Sequence, residues 1–101
     1  MNQNNSELAT PPAMAFSKKL YLYHYTGCLF CWRVQRVINK LGIEIEQRDI
    51  WESNEYRQQL LEACGRQTVP VLLVIDEDGK QQWIPESRDI ISFLKRIQQT
   101  H

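Results

Sequence analysis

Two cysteines stand three residues apart in Cys28-Leu29-Phe30-Cys31, directly after an apolar, strand-like run and at the head of a helical pattern. Thiols at that spacing can close a disulfide or ligate a metal. At a helix start, the unpaired amides and the positive end of the macrodipole bias the first thiol toward its nucleophilic thiolate. Cys28 is therefore expected to be exposed and to act as the nucleophile. Cys31, one turn further on and on the same face, is expected to be more buried, protonated and placed to resolve a mixed disulfide on Cys28. The other reading of the pair is two small apolar core residues. No metal is expected, because a structural zinc site needs four ligands and only Cys64, His24 and His101 remain to complete one. Cys64 has no partner at a recognised spacing and reads as a core residue.

The elements that must position these thiols follow from the hydrophobic pattern. Leu20, Tyr21, Leu22, Tyr23 and Tyr25 form an aromatic-rich strand stopped by Thr26-Gly27. Val34, Val37, Ile38 and Leu41 then recur at i, i+3, i+4 and i+7, which predicts a helix over 29–41 closed by Gly42. Ile43, Ile45, Gln47 and Asp49 suggest a short second strand. Ser53 with Glu55 offers a capped start for a helix carrying Tyr56, Leu60, Leu61 and Cys64 up to Gly65. The run 69–75 reads as a strand buried on both faces, Asp78-Gly79 as a hairpin and 80–84 as the antiparallel return. Pro85-Glu86-Ser87 opens a last helix with the stripe Ile90, Ile91, Leu94 and Ile97. The order is βαβαββα, an α/β fold with a four-stranded mixed sheet flanked by three helices.

Composition narrows the classes. The 101 residues suit one domain, and twelve Lys plus Arg balance twelve Asp plus Glu, so bulk charge draws the protein neither to nucleic acid nor to a membrane. Three cysteines without a charged n-region and an apolar h-region do not fit a secreted disulfide scaffold, and the cytoplasm is expected. The longest apolar stretch, 69–75, is seven residues long and contains Pro70, too short to cross a bilayer. Residues 1–17, rich in Asn and Gln and carrying Pro11-Pro12, read as a flexible leader ahead of one domain over 18–101. Glu7 and the lack of Arg or Lys in that stretch argue against a transit peptide. A monomer is expected.

The element order, with a Cys-x-x-Cys between the first strand and first helix, resembles the thioredoxin-like fold. Within it, Thr26-Gly27-Cys28-Leu29-Phe30-Cys31 resembles the redox loop of glutaredoxins, and Gly65-Arg66-Gln67-Thr68-Val69-Pro70 resembles their Thr-Val-Pro loop. The likeness spans 19–98, and the two motifs at this separation are far more specific than a lone Cys-x-x-Cys. It implies a cis Pro70 facing the redox pair, with Thr68 before it and with Val69 offering its N–H and C=O to the cysteine moiety of glutathione. Arg57 and Arg33 match positions where the family places basic residues toward glutathione, although both also read as solvated surface arginines. Glu86-Ser87 is similar to the Glu-Ser pair of glutathione S-transferase N-terminal domains, which meets the γ-glutamyl group, and reads equally as a helix cap by Ser87.

Two positions depart from the family. Tyr25 stands where a Lys usually precedes the nucleophile, at the edge of the glutathione site, and Leu29 replaces the usual proline. Some glutaredoxins lacking that proline bridge dimers through a 2Fe–2S cluster. Phe30 and Trp32 are candidates for an apolar rim around Cys28. The resemblance implies a glutathione-dependent thiol–disulfide oxidoreductase with a redox-active disulfide, taking electrons from glutathione as co-substrate and reducing glutathionylated proteins and protein disulfides. The alternative is a poorly catalytic module that binds glutathione or an iron–sulfur cluster. A thioredoxin proper is disfavoured because the Trp-Cys-Gly-Pro-Cys loop is absent.

Overall fold

A computed structural model of the chain describes residues 18–99. The expected leader at 1–17 and His101 lie outside the described residues. The strands are β1 (Lys19–His24), β2 (Glu46–Asp49), β3 (Val71–Ile75) and β4 (Gln81–Ile84), and the helices are α1 (Leu29–Leu41), α2 (Asn54–Cys64) and α3 (Ser87–Gln99). They follow in the expected βαβαββα order and form one mixed sheet, β2-β1-β3-β4. β1 runs parallel to β2, with Tyr21 opposite Glu46 and His24 opposite Asp49, and antiparallel to β3, with Tyr23 opposite Val71. β4 returns antiparallel to β3, with Leu72 opposite Ile84.

Side-chain alternation along β1 divides the interior in two. Leu20 and Leu22 point to the face covered by α1 and α3, where they cluster with Val34, Ile38, Ile90 and Leu94. Tyr23 points the other way and joins Leu60 of α2, Ile50, Val71 and Leu73. β3 contributes to both clusters, which is why its residues read as a continuous apolar run. Burying each of these aliphatic side chains contributes about 1.5–3 kcal/mol.

The end of α1 and the start of α2 fall on the residues their patterns call for. Gly42 ends α1 in the left-handed region at φ 68°, and its N–H bonds the Ile38 carbonyl at 3.0 Å. Ser53 caps α2 by accepting the Tyr56 N–H at 3.3 Å. Three local differences from the sequence pattern have physical reasons. Tyr25 leaves β1, because the turn into α1 begins there. β2 begins only at Glu46, so Ile43 and Ile45 stay outside the ladder and pack against the α1/α3 cluster instead. β3 begins at Val71, after Pro70, which has no N–H to donate to a ladder. Among the described residues, no helix is long and apolar enough to cross a membrane.

Candidate active site

Strand directions gather the candidate residues at one end of the sheet. β1, β2 and β4 end there, at His24, Asp49 and Ile84, and β3 begins there at Val71. The segments 25–28, 50–53, 65–70 and 85–86 therefore lie side by side in the order of the sheet. Residues that are 20 to 60 positions apart in the chain become neighbours through the ladder alone.

The redox loop is a tight turn feeding a helix. The Cys28 N–H donates to the Tyr25 carbonyl at 3.4 Å, and Gly27 takes φ 97°, a conformation open to glycine and strained for other residues. Cys28 then occupies the N-cap of α1 with extended backbone (φ −82°, ψ 121°). Its carbonyl accepts the Trp32 N–H at 2.9 Å and its Sγ accepts the Cys31 N–H at 3.4 Å. A sulfur thus does the work usually done by a Ser or Asp cap oxygen.

This geometry corrects one expectation. Cys28 is only 9% exposed, because capping turns Sγ inward over the first helical turn instead of out to solvent. The exposed groups are its neighbours Leu29, Phe30 and Trp32. Cys31 lies deeper, at 2% exposure. Burial foremost, then its hydrogen bond with Cys28, pushes the Cys31 thiol up to about 12. Both thiols are free.

Two further residues belong to the site, and sequence reasoning gave neither of them a role there. Trp51 stacks on Tyr25 with ring centroids 4.2 Å apart and planes 6° from parallel. The Tyr25 phenol has a raised pKa, first from the charge of Cys28 beside it, then from burial and from its hydrogen bond with Cys28. His24 is the other. Its carbonyl accepts the Ile50 N–H at 2.9 Å, and its imidazole Nε2 is buried with no hydrogen-bond partner. Burial lowers its pKa from 6.5, against the opposing pull of Asp49 and Glu52. Its place four residues ahead of Cys28 was the one available signal. For Trp51 there was none, since its stack joins segments that only the sheet brings together.

The remaining candidates are placed as follows. The Val69–Pro70 bond is cis, Pro70 is buried, Val69 is half-buried and Thr68 is exposed. Arg57 Nη1 donates to the Ile50 carbonyl at 2.7 Å, tying the start of α2 to the segment after β2. Arg33 is exposed on α1. Glu86 is exposed and its carbonyl accepts the Ile90 N–H at 2.8 Å, so Glu86 takes the cap position of α3 and Ser87 is the first helical residue. The cap expected at Ser87 is thus shifted by one residue, which leaves the Ser87 hydroxyl at the helix N-terminus. Cys64 is half-buried and packs against the α2-side cluster. Among the described residues, no group of three or more His, Cys, Asp or Glu is gathered to hold a metal ion.

Known proteins match this arrangement. A probable glutaredoxin of Synechocystis is 29% identical over 65 residues, covering 63% of this chain and 74% of that protein. The maleylacetoacetate isomerase of Anaeromyxobacter dehalogenans, solved with bound dicarboxyethyl glutathione and citrate, superposes with a TM-score of 0.60 at 29% identity. That match covers 79% of this chain and 37% of the isomerase, so the chain spans little more than a third of that enzyme's length. Wheat glutaredoxin shares the fold, with a TM-score of 0.60 at 21% identity over 90% of this chain and 89% of its own. The family model for the glutathione S-transferase N-terminal domain matches residues 22–100. With most of its length matched, the chain belongs to the family of glutathione S-transferase N-terminal domains, on the thioredoxin-like α/β fold that glutaredoxins share.

Proposed function

We propose that this chain is a glutathione-dependent thiol–disulfide oxidoreductase that reduces protein–glutathione mixed disulfides and protein disulfides. The observation that carries the reading is the asymmetry of the two sulfurs. Cys28 Sγ receives a backbone amide at a helix start, as an anionic sulfur requires, while Cys31 is kept protonated beneath it at about 12. Cys28 thiolate attacks the glutathione sulfur of a mixed disulfide. The S–S bond breaks, and the client thiol leaves with the electron pair and takes up a proton. A glutathione thiolate then attacks Cys28–S–S–glutathione, releasing oxidised glutathione and restoring the Cys28 thiolate.

Glutathione lies, in this reading, across the gathered loops. Val69 pairs its backbone with the cysteinyl moiety beside cis Pro70 and Thr68, Arg57, Arg33 and Tyr25 serve the glycyl end, and Glu86 with Ser87 meets the γ-glutamyl end. The N-terminus of α3 adds amides suited to a carboxylate. Support comes from the Anaeromyxobacter isomerase, which has been solved with glutathione in its active site. A glutaredoxin-like poise of roughly −200 to −230 mV suits a glutathione-reduced compartment such as the cytoplasm, where the protein acts as a monomer.

Glutathione-dependent reduction of a small mixed disulfide tests the mechanism. Cys28→Ser should be inactive and Cys31→Ser should remain active. Equal loss in both would overturn the monothiol route. Binding of glutathione without turnover, or a visible chromophore after anaerobic purification, would point instead to a binding or iron–sulfur module.

A further inference from the structure

We infer that His24 is the base that takes the Cys31 proton when Cys31 attacks a mixed disulfide on Cys28. The inference rests on the thiol-exchange reading above and assigns the proton path of its second branch.

The resolving step has a specific difficulty. A thiol at about 12 is ionised to only about one part in 10⁵ at pH 7, so a buried Cys31 needs a local proton acceptor. The packing register places one beneath it. Along β1, Leu20, Leu22 and His24 share one face, spaced about 6.6 Å apart per pair of residues. The chain reverses at 25–28, so α1 runs back along β1, and its buried residues Ile38, Val34 and Cys31 advance about 5–6 Å per turn toward the same end. Leu20 and Leu22 cluster with Ile38 and Val34. The next pair in this register is His24 and Cys31.

The surroundings of the imidazole agree. His24 Nε2 is sealed from solvent and bonded to nothing, an arrangement that is costly and uncommon among buried polar atoms. The charged groups acting on it are Asp49 of β2 and Glu52 of the following turn, and in the register above the thiols of the redox loop face it from the start of α1. On the opposite face of the sheet, Arg57 engages the Ile50 carbonyl. Asp49 acts electrostatically on both His24 and Cys31, as their common end of the sheet requires. The carboxylates are poor candidates for the base. Asp49 Oδ1 holds the Trp51 and Glu52 amides at 2.8 and 3.3 Å, Glu52 is exposed, and carboxylates as a class are weaker bases than imidazole. Burial lowers the imidazole from 6.5 and so keeps it neutral at pH 7, and the proposed role requires the Nδ1–H tautomer, which leaves the Nε2 lone pair free.

The step balances. The Cys31 Sγ proton passes to His24 Nε2, directly or across one water, and Cys31 thiolate attacks Cys28 Sγ. The Cys28–glutathione S–S bond breaks, and the Cys28–Cys31 disulfide forms as the pair loses two electrons. Glutathione leaves as thiolate and takes the proton back from the imidazolium.

A single-turnover experiment tests this. Mixing the reduced protein with a glutathione mixed disulfide of a chromogenic thiol reports Cys28 attack as colour. Free glutathione in quenched samples then reports the Cys31 step. His24→Gln should slow the second step at least tenfold at pH 7 relative to the first, within the range of general-base effects. The wild-type second step should hold level at pH 7 and fall only on the acid side of the ordinary imidazole range, because burial lowers the His24 pKa, whereas in His24→Gln it should climb steadily to pH 9. The effect of His24→Gln should vanish in a Cys31→Ser background, where the step does not exist. In Cys28→Ser, adding His24→Gln should slow alkylation of Cys31 by iodoacetamide. An unchanged second step, or equal slowing of both steps, would overturn the assignment. His24→Asn and the wild-type pH profile carry the test should His24→Gln not fold. Absence of the colour phase in wild type would instead remove the thiol-exchange reading, and this assignment with it.

Discussion

The rim and the floor of the redox loop are built from adjacent residues, yet they are different media. At the rim, Tyr25 beside Cys28 stacks on Trp51, and Leu29, Phe30 and Trp32 follow along the helix start, four of these five being exposed aromatic or aliphatic side chains. At the floor, Cys31 is buried and feels the charge of Asp49, with Leu22 and Val34 in the apolar cluster between β1 and α1. Three residues of helix carry the chain from one medium to the other. The difference shows how one Cys-x-x-Cys yields two unlike thiols. Both sulfurs are buried, but the first accepts an amide at the helix end while the second lies deeper, so the roles proposed for them follow from their place at the helix start and not from residue type.

The largest effect expected from breaking that contrast is at the rim. Cys28→Ser should cut glutathione-dependent reduction of a small mixed disulfide by on the order of 10³ or more, since no second thiol there can serve as nucleophile, while Cys31→Ser keeps most of the rate. A steady-state assay decides it, and an active Cys28→Ser would erase the distinction. Next comes the floor's foundation. Leu22 is fully buried, and Leu22→Ala should destabilise the fold by about 2–5 kcal/mol in urea titration. A loss below about 1 kcal/mol would mean that the site collapses to fill the gap.

The floor also predicts a pH dependence. The Cys31 pKa is near 9.0 when unfolded and about 12 when folded, so between those values the native state holds the proton that the unfolded chain has lost. That part of the stability is complete below pH 9 and is lost as pH rises toward 12. The urea midpoint of wild type should therefore fall more steeply over that window than that of Cys31→Ser. Parallel curves would place Cys31 in a wetter setting than its burial indicates.

Smaller effects probe the rim's shape. At φ 97° with nothing within 4 Å of an added Cβ, Gly27→Ala should cost about 1–2 kcal/mol through backbone strain alone. Glu86→Gln is expected to raise the glutathione concentration giving half-maximal rate by a few-fold with little change in stability, because the proposed pairing of its carboxylate with the γ-glutamyl ammonium would be lost. An unchanged requirement would reduce Glu86 to its role at the start of α3.

Much of this organisation was legible from spacing. The stripe Val34, Val37, Ile38, Leu41 with Gly42 located α1, and Ser53 located the start of α2, because helix faces and caps are written within a few residues. Ile43 and Ile45 misled, since they alternate like a strand while ladder pairing begins at Glu46. The inward turn of Cys28 was not legible either. A cap residue can face solvent or its own helix, and that choice depends on how the preceding turn arrives.

By itself, then, the sequence determined the element order, the two thiols at a helix start and the Thr68-Val69-Pro70 segment, because each is set by local propensity and short-range periodicity. The tertiary structure alone decided that Trp51 stacks on Tyr25, that His24 Nε2 lies buried and unpaired, and that Cys28 is nearly covered. The first two depend on strand register, which brings distant segments to one end of the sheet, and the third depends on the direction in which a turn delivers a sulfur to its helix.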